Sequence, residues 1–400
     1  MQADSFRRHL TEQIIPFWNS LRDEQNGGFC GSVDHALHKD FRSDKGVILH
    51  SRILWFYANA YALLGEQRLR DMADHAFRFI KAYCLDAQYG GLFWSVTYDG
   101  QPADTVKHTY NQAFGIYALA SYADACACQE ALDLAMSLYA LIESRCRDAG
   151  GYLEAFARDF SPTDNDKLSE NGVMAGRTMN TLLHVTEAYM ELYRVSRDAA
   201  VEKSLREALQ LFADKIYDQE TGSCKVFFDM AYGSLLDLES YGHNIEASWL
   251  LDRACAILGD PVVRAQYEPM TERLAEVAYA HAFDPVQGGL NNEREGNAVD
   301  RQKIWWVQAE SVIGFYNLYQ KLSGQQPPAT DRQTYLDAAQ SVWHFVQEKQ
   351  VDKRCGEWFE SVKADGSIDP AQGLAHEWKC PYHNGRMCIE MVRRLEDSGR

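Results

Sequence analysis

The chain has 400 residues, 46% hydrophobic and 24% charged, the composition of a globular protein with a large core. Its formal net charge of −17 disfavours nucleic acid and anionic membrane surfaces as partners, because both would repel it. No stretch reaches the length of a spanning helix and nothing resembles a signal peptide, so a cytoplasmic, monomeric protein is expected.

In chain order, the first element is a helical stretch, Ser5–Leu21, followed by Asp23 and the turn Gly27-Gly28-Phe29. Gly46–Leu64 is then apolar nearly all round, whereas Leu69–Tyr83 is striped with a charged face. The phrase recurs. Asp86 and Gly90-Gly91-Leu92 precede Thr109–Ala123 and Gln129–Arg145, and Asp148 and Gly150-Gly151-Tyr152 precede Thr178–Tyr193 and Val201–Ile216. Asp218 and Gly222 precede Asn244–Leu258 and Val262–Ala280, and Asp284 and Gly288-Gly289-Leu290 precede Ile304–Leu322 and Arg332–Val346. The last copy, Asp352 and Gly356-Glu357-Trp358, precedes Asn384–Leu395. The final glycines lie 60 to 71 residues apart, a repeat of one unit. Glycine supplies a left-handed turn and aspartate bonds its own backbone there, so each copy reads as a tight turn or short hairpin.

A helix apolar on all sides is buried, and a striped one lies at the surface. Five outer helices follow inner ones, and Ser5–Leu21 supplies the sixth by pairing with the C-terminal inner helix. The count closes a ring without exposed end repeats. The expected fold is an all-α (α/α)6 toroid, a barrel of six helical hairpins, with residues 1–400 as one catalytic domain. The ten cysteines include no C-x-x-C pair, and Cys84, Cys126, Cys146, Cys255 and Cys388 sit in apolar runs, so free buried thiols are expected.

Polar residues gather where the inner helices begin: His50-Ser51-Arg52; Lys107, His108, Tyr110 and Asn111; Arg177, Asn180 and His184; His243, Asn244, Glu246 and Trp249; Lys303, Trp305, Trp306, Gln308 and Glu310; His383, Asn384 and Arg386. All six starts share one mouth, so these groups converge on a funnel. A single buried histidine is ordinarily a hydrogen-bonded core residue. Five of the chain's twelve in these short windows make a site the better reading. Trp55, Tyr110, Trp249, Trp305, Trp306 and Trp378 offer aromatic walls; flat rings with fixed donors and acceptors suit a sugar, although Trp55 lies deep enough to be core.

No nucleotide fingerprint, P-loop, H-E-x-x-H or nucleophile elbow is present. His243 and Glu246 at i, i+3 could ligate a metal, but a funnel holding Arg52 and Lys303 is a poor cage, so no metal is expected. Imidazole both accepts and donates protons near neutrality. Two facing histidines point to removal of a proton beside a carbonyl and its return to the opposite face, with Arg52 on the developing oxyanion. A glycoside hydrolase would instead need a carboxylate pair, for which Glu246 and Glu310 are the best candidates. A non-catalytic sugar binder would have little need of several imidazoles.

The chain also resembles the N-acylglucosamine 2-epimerase superfamily along nearly its whole length, most closely its bacterial cellobiose 2-epimerases. The resemblance is carried by residues 46–55, 107–111, 240–249, 305–310 and 378–387, with the Asn180 to His184 segment and Ser169-Glu170-Asn171-Gly172 adding to it. Asn244 departs from it, standing where such proteins often carry aspartate. The resemblance implies opening of a reducing-end glucose and epimerisation at C2 through a cis-enediolate. His383 would be the base and His243 the partner acid, oriented by Glu246. Arg52, Tyr110, Asn180 and His184 would contact the reacting sugar, and Trp249 would belong to the same binding set. Trp306, Glu310 and Trp378 would hold the substrate, a β-1,4-linked disaccharide such as cellobiose, lactose or mannobiose, with Trp378 a stacking platform for the sugar beyond the reacting one. No cofactor is implied, and mannan breakdown is the implied setting. A monosaccharide aldose–ketose isomerase or N-acylglucosamine 2-epimerase would use the same chemistry.

Overall fold

The twelve helical segments alternate between an inner and an outer ring in the computed structural model, which describes residues 1–168, 171–325, 327 and 329–397. The inner helices are Val47–Leu64, Thr109–Cys126, Met179–Ser196, Tyr241–Leu258, Trp305–Gly324 and His383–Asp397. Each packs on the next, and the sixth packs back on the first. The N-terminal helix, residues 3–19, lies against His383–Asp397, so the two chain ends form the sixth hairpin. The expected all-α toroid is what forms. One apolar core runs through all six hairpins, with Trp18, Trp55, Trp249 and Trp358 among its largest buried side chains.

The two ends of the ring are built differently. At one end four inner helices turn back into outer ones across two residues, through left-handed positions at Gly65, Ala127, Arg197 and Gly259. Such αL positions satisfy the last carbonyls of a helix and reverse the chain. At the other end, connections of 22 to 33 residues carry the Asp–Gly turns. Short antiparallel ribbons stitch neighbouring connections together: Lys45–Gly46 with Ser95–Val96, Lys107–His108 with Ala155–Phe156, Arg177–Thr178 with Phe227–Phe228, Leu238–Ser240 with Glu293–Glu295, and Lys303–Ile304 with Ser361–Val362. A bridge from Val33 to Ala375 completes the circuit. This end is the mouth.

The Asp–Gly phrase proves to be a joint between a turn and the inner helix behind it. Asp23 accepts from the Gln25 and Asn26 amides at 3.0 Å and from Lys45 Nζ at 2.8 Å. Lys107 holds Asp86, Arg177 holds Asp148, Lys303 holds Asp284, and Lys379 holds Glu357 in the same way. The turn amide is caught as well. Phe29 N donates to His50 Nε2 at 3.0 Å, Leu92 N to Gln112 at 2.7 Å, Cys224 N to Asn244 at 2.8 Å and Leu290 N to Gln308 at 2.8 Å. Gly28 (φ +65°) is required here, because a Cβ would lie 2.8 Å from His50 Nε2.

These joints correct part of the sequence reading. Lys107, Arg177, Lys303 and His50 tie the mouth together and do not line the funnel. Asn244 is likewise a strut, which explains an amide there: its Oδ1 accepts from a backbone amide while its Nδ2 faces Glu239 at 3.5 Å. All ten cysteines are unpaired, and the five expected to be buried are buried.

Candidate active site

The funnel narrows to a cavity of about 390 Å3, within the range of roughly 300–1,000 Å3 usual for small-molecule sites. Arg52, Tyr110, Asn180, His184, His243, Glu246, Trp306, Trp378 and His383 all line it, brought from all six sectors of the ring. Trp305 joins them, as do rim residues on the mouth loops that the sequence did not single out: Lys167, Asn292, Glu293, Glu360 and His376. Ser169 and Glu170 lie outside the described residues.

Three imidazoles on the inner helices face the cavity, each held by Nδ1. His383 Nδ1 meets Glu310 Oε1 at 2.7 Å, His184 Nδ1 meets Glu187 Oε2 at 2.8 Å, and His243 Nδ1 meets Ser240 Oγ at 2.7 Å. A carboxylate can only accept, so the first two histidines carry hydrogen on Nδ1 and turn Nε2 to the cavity. The Ser240 hydroxyl can donate or accept, so His243 is free to present Nε2 with or without its proton. Burial holds His243 down at about 3 and His383 well below the usual imidazole range, where Arg386 and Arg52 add to the effect. Both are neutral bases near pH 7. Trp306 packs against His243 and His383, with ring centres 4.8 and 5.7 Å away.

Arg52 is clamped over the rings of Phe114 and Tyr382, donating to Tyr110 Oη at 2.8 Å and to the Trp378 carbonyl at 3.1 Å. Burial opposes its charge, but Tyr110, Cys380, Tyr382 and Glu246 keep its pKa above the ordinary value. Its Nε and Asn180 Oδ1 have no partner among the described residues. The same arginine therefore fixes the backbone of Trp378, whose ring rests on Trp94 and Tyr110. Below the cavity floor lies a buried ionic cluster. Arg386 donates to Glu246 at 2.5 Å, to Glu310 at 2.8 Å, and to Glu187 and Tyr382. Burial and neighbouring Glu310 raise Glu246 to about 7, so it holds a proton readily near neutrality.

Three sequence expectations change here. Glu246 does not orient His243: its bond is to Arg386, and Ser240 takes the orienting place. Glu310 does not reach the cavity but backs His383 and accepts from Trp249 Nε1 at 2.9 Å, and Trp249 is fully buried behind it. Neither is placed to touch a ligand. A hydrolytic pair of Glu246 and Glu310 fails for the same reason, because two carboxylates sharing one guanidinium, one of them sealed off, cannot flank a glycosidic bond. Glu246, Glu310 and His383 also bring donor atoms within 4.8 Å of one another, yet the cation they hold is the guanidinium of Arg386. The sequence missed Glu187 and Ser240. The H-x-x-E spacing of His184 and Glu187 was the available signal for the first.

Residues 27–384 match the family profile of N-acylglucosamine 2-epimerase. Among characterised proteins, the chain is 49% identical to a cellobiose 2-epimerase of Eubacterium cellulosolvens, covering 98% of both. It is 47% identical to a cellobiose 2-epimerase of Ruminococcus albus, over 99% of this chain and 100% of that one. A crystal structure of a sugar epimerase from a ruminal bacterium superposes with a TM-score of 0.95 at 47% identity, covering 98% and 99% of the two chains.

Proposed function

The chain belongs to the N-acylglucosamine 2-epimerase family and is a carbohydrate epimerase, and on that premise we propose that it inverts C2 of the reducing-end glucose of β-1,4-linked disaccharides such as cellobiose. Lactose and mannobiose would be handled alike, without a cofactor, and the whole chain would act as one cytoplasmic catalytic domain. The observation that carries this reading is the pair His383 and His243, two neutral imidazoles lining one cavity with different Nδ1 partners.

Ring opening sends the anomeric hydroxyl proton to His243, while Glu246, which holds a proton near neutrality, supplies the ring oxygen. His383 Nε2 then takes the proton from C2, and the C–H electrons flow through C1 onto the carbonyl oxygen to give the cis-enediolate. Arg52 and Tyr110 meet that negative charge with fixed donors. His243 returns its proton to the opposite face of C2. On ring closure His383 passes its proton to O1 and the ring hydroxyl restores that of Glu246, so every group ends as it began. Trp378 stacks on the sugar beyond the reacting unit, and the rim residues Lys167, Glu360 and His376 surround the outer ring.

The test is incubation with cellobiose in D2O after EDTA treatment, followed by NMR. Glucosyl-mannose with deuterium at C2 and no free glucose is the expected result. Release of glucose would overturn the reading. Turnover of mannose or N-acetylglucosamine alone would move the protein to a sibling activity with the same chemistry.

A further inference from the structure

His184 and His383 sit on different inner helices, yet their Nδ1 atoms are held by one shared device. Glu187 spends Oε2 on His184 and Oε1 on Tyr382 Oη, which donates at 2.6 Å, and on Arg386. Glu310 gives Oε1 to both His383 and Arg386. The guanidinium plane of Arg386 thus spans the two carboxylates with separate nitrogens, NH1 toward Glu187 and NH2 toward Glu310. It lies over the Tyr382 ring at 4.2 Å and the Trp249 ring at 4.8 Å, and it is wholly buried.

We propose that Arg386 is a positioning residue that fixes the tautomer and aim of His184 and His383 together, by clamping the carboxylate behind each. The assignment rests on the epimerase reading only for its catalytic consequence; the tautomer claim is independent of it. A carboxylate orients an imidazole only while it remains an acceptor in a fixed place. Two buried carboxylates with a third, Glu246, beside them would repel one another or protonate without a cation among them. A protonated Glu310 could offer its own O–H, and His383 would then flip to carry hydrogen on Nε2, blocking proton abstraction. Planar geometry matters, since a lysine ammonium is a point charge and cannot bridge both oxygens in fixed directions.

The test uses Arg386→Lys and Arg386→Gln with two readouts. The first needs no substrate: 15N NMR of the histidine rings in the free protein. In the parent, His184 and His383 give the Nδ1–H pattern, as do the buried His9 and His50, whose Nε2 atoms accept from Trp358 and Phe29 and which serve as internal controls. In both variants that pattern is lost or becomes mixed for His184 and His383. The second is kinetics on cellobiose. We expect kcat to fall about 10²-fold or more with little change in KM, the size expected when a general base loses its alignment, and partial rescue by lysine over glutamine. In Arg386→Gln the acid limb of the kcat profile moves to higher pH, because removing the positive charge of Arg386 lets His383 protonate more easily; the charged and titratable groups facing His383 are Arg386, Arg52, His184, His243, Glu246, Glu310 and Tyr382. A folded lysine variant with both Nδ1–H signals intact and kcat within threefold of the parent would overturn the proposal. If glutamine prevents folding, the lysine variant decides alone. Failure of the parent to act on cellobiose would strike the functional reading and leave the NMR result standing.

Discussion

Buried histidines line two sides of the same mouth, and they differ in which ring nitrogen the protein consumes. On the side built by the first two hairpins, His50 uses both nitrogens, Nδ1 on the Gly46 carbonyl at 2.8 Å and Nε2 on the Phe29 amide. His108 spends Nε2 on Asn165 at 3.0 Å, anchoring the loop that carries Lys167 to the rim. On the side built by hairpins three, four and six, His184, His243 and His383 spend Nδ1 only. Burial alone does not separate the groups, since His50, His108 and His383 are all buried and all pushed below the usual imidazole range. What separates structure from chemistry is the nitrogen left over.

The largest test of that contrast is His383→Asn, which keeps a polar group but removes the base. Loss of about 10³- to 10⁴-fold in kcat is expected, with the melting temperature nearly unchanged. His50→Ala should do the reverse. It strands the Phe29 amide at a cost of about 1–3 kcal/mol, read as a lower melting temperature, while kcat stays within a few-fold. Equal kinetic damage from the two substitutions would erase the distinction. A milder probe of the working side is Ser240→Ala, which leaves His243 without its Nδ1 partner. A fall in kcat of roughly tenfold is expected, smaller than for His383 because hydroxyl support is weaker than charge-assisted support. Trp378→Ala should raise KM for cellobiose by up to about tenfold, the scale of one aromatic contact, and leave turnover of a monosaccharide almost untouched.

The ring itself was legible in the sequence because its signals are local and repeated. Each turn needs an acceptor aspartate and a left-handed glycine, and each inner helix needs apolar residues on every face. The site was legible as a list of windows, but not as roles. His50 and His184 occupy similar places in those windows, and only the partners brought by other hairpins separate them: Phe29 for one, Glu187 for the other. Glu246 misled for a related reason. It lies one turn from His243, the spacing of an orienting pair, but Arg386 from the opposite end of the chain claims it. The rim residues Lys167, Glu360 and His376 were invisible because they sit on connecting loops, where neither period nor burial marks a residue before the fold assembles it.

The smallest expected effect is also the sharpest check on the structural side of the comparison. In the folded protein burial holds His50 at about 3 and His108 at about 4, against 6.5 for a free imidazole. The unfolded chain therefore binds more protons than the folded one as pH drops below about 6.5, and stability rises with pH across that window. The contribution is complete above 6.5 and is lost progressively as pH falls toward the folded values. His50→Gln removes one such proton-binding site while keeping an acceptor for Phe29, as Gln112 and Gln308 do at the equivalent joints. Calorimetry between pH 7 and 4 should then show a shallower fall in melting temperature than in the parent, with the acid limb of kcat unmoved. An unchanged slope would mean that His50 takes up its proton as readily in the folded state as in the unfolded chain. Protonated, it could not accept from Phe29, and the assignment of this side of the mouth as a neutral strut would fail.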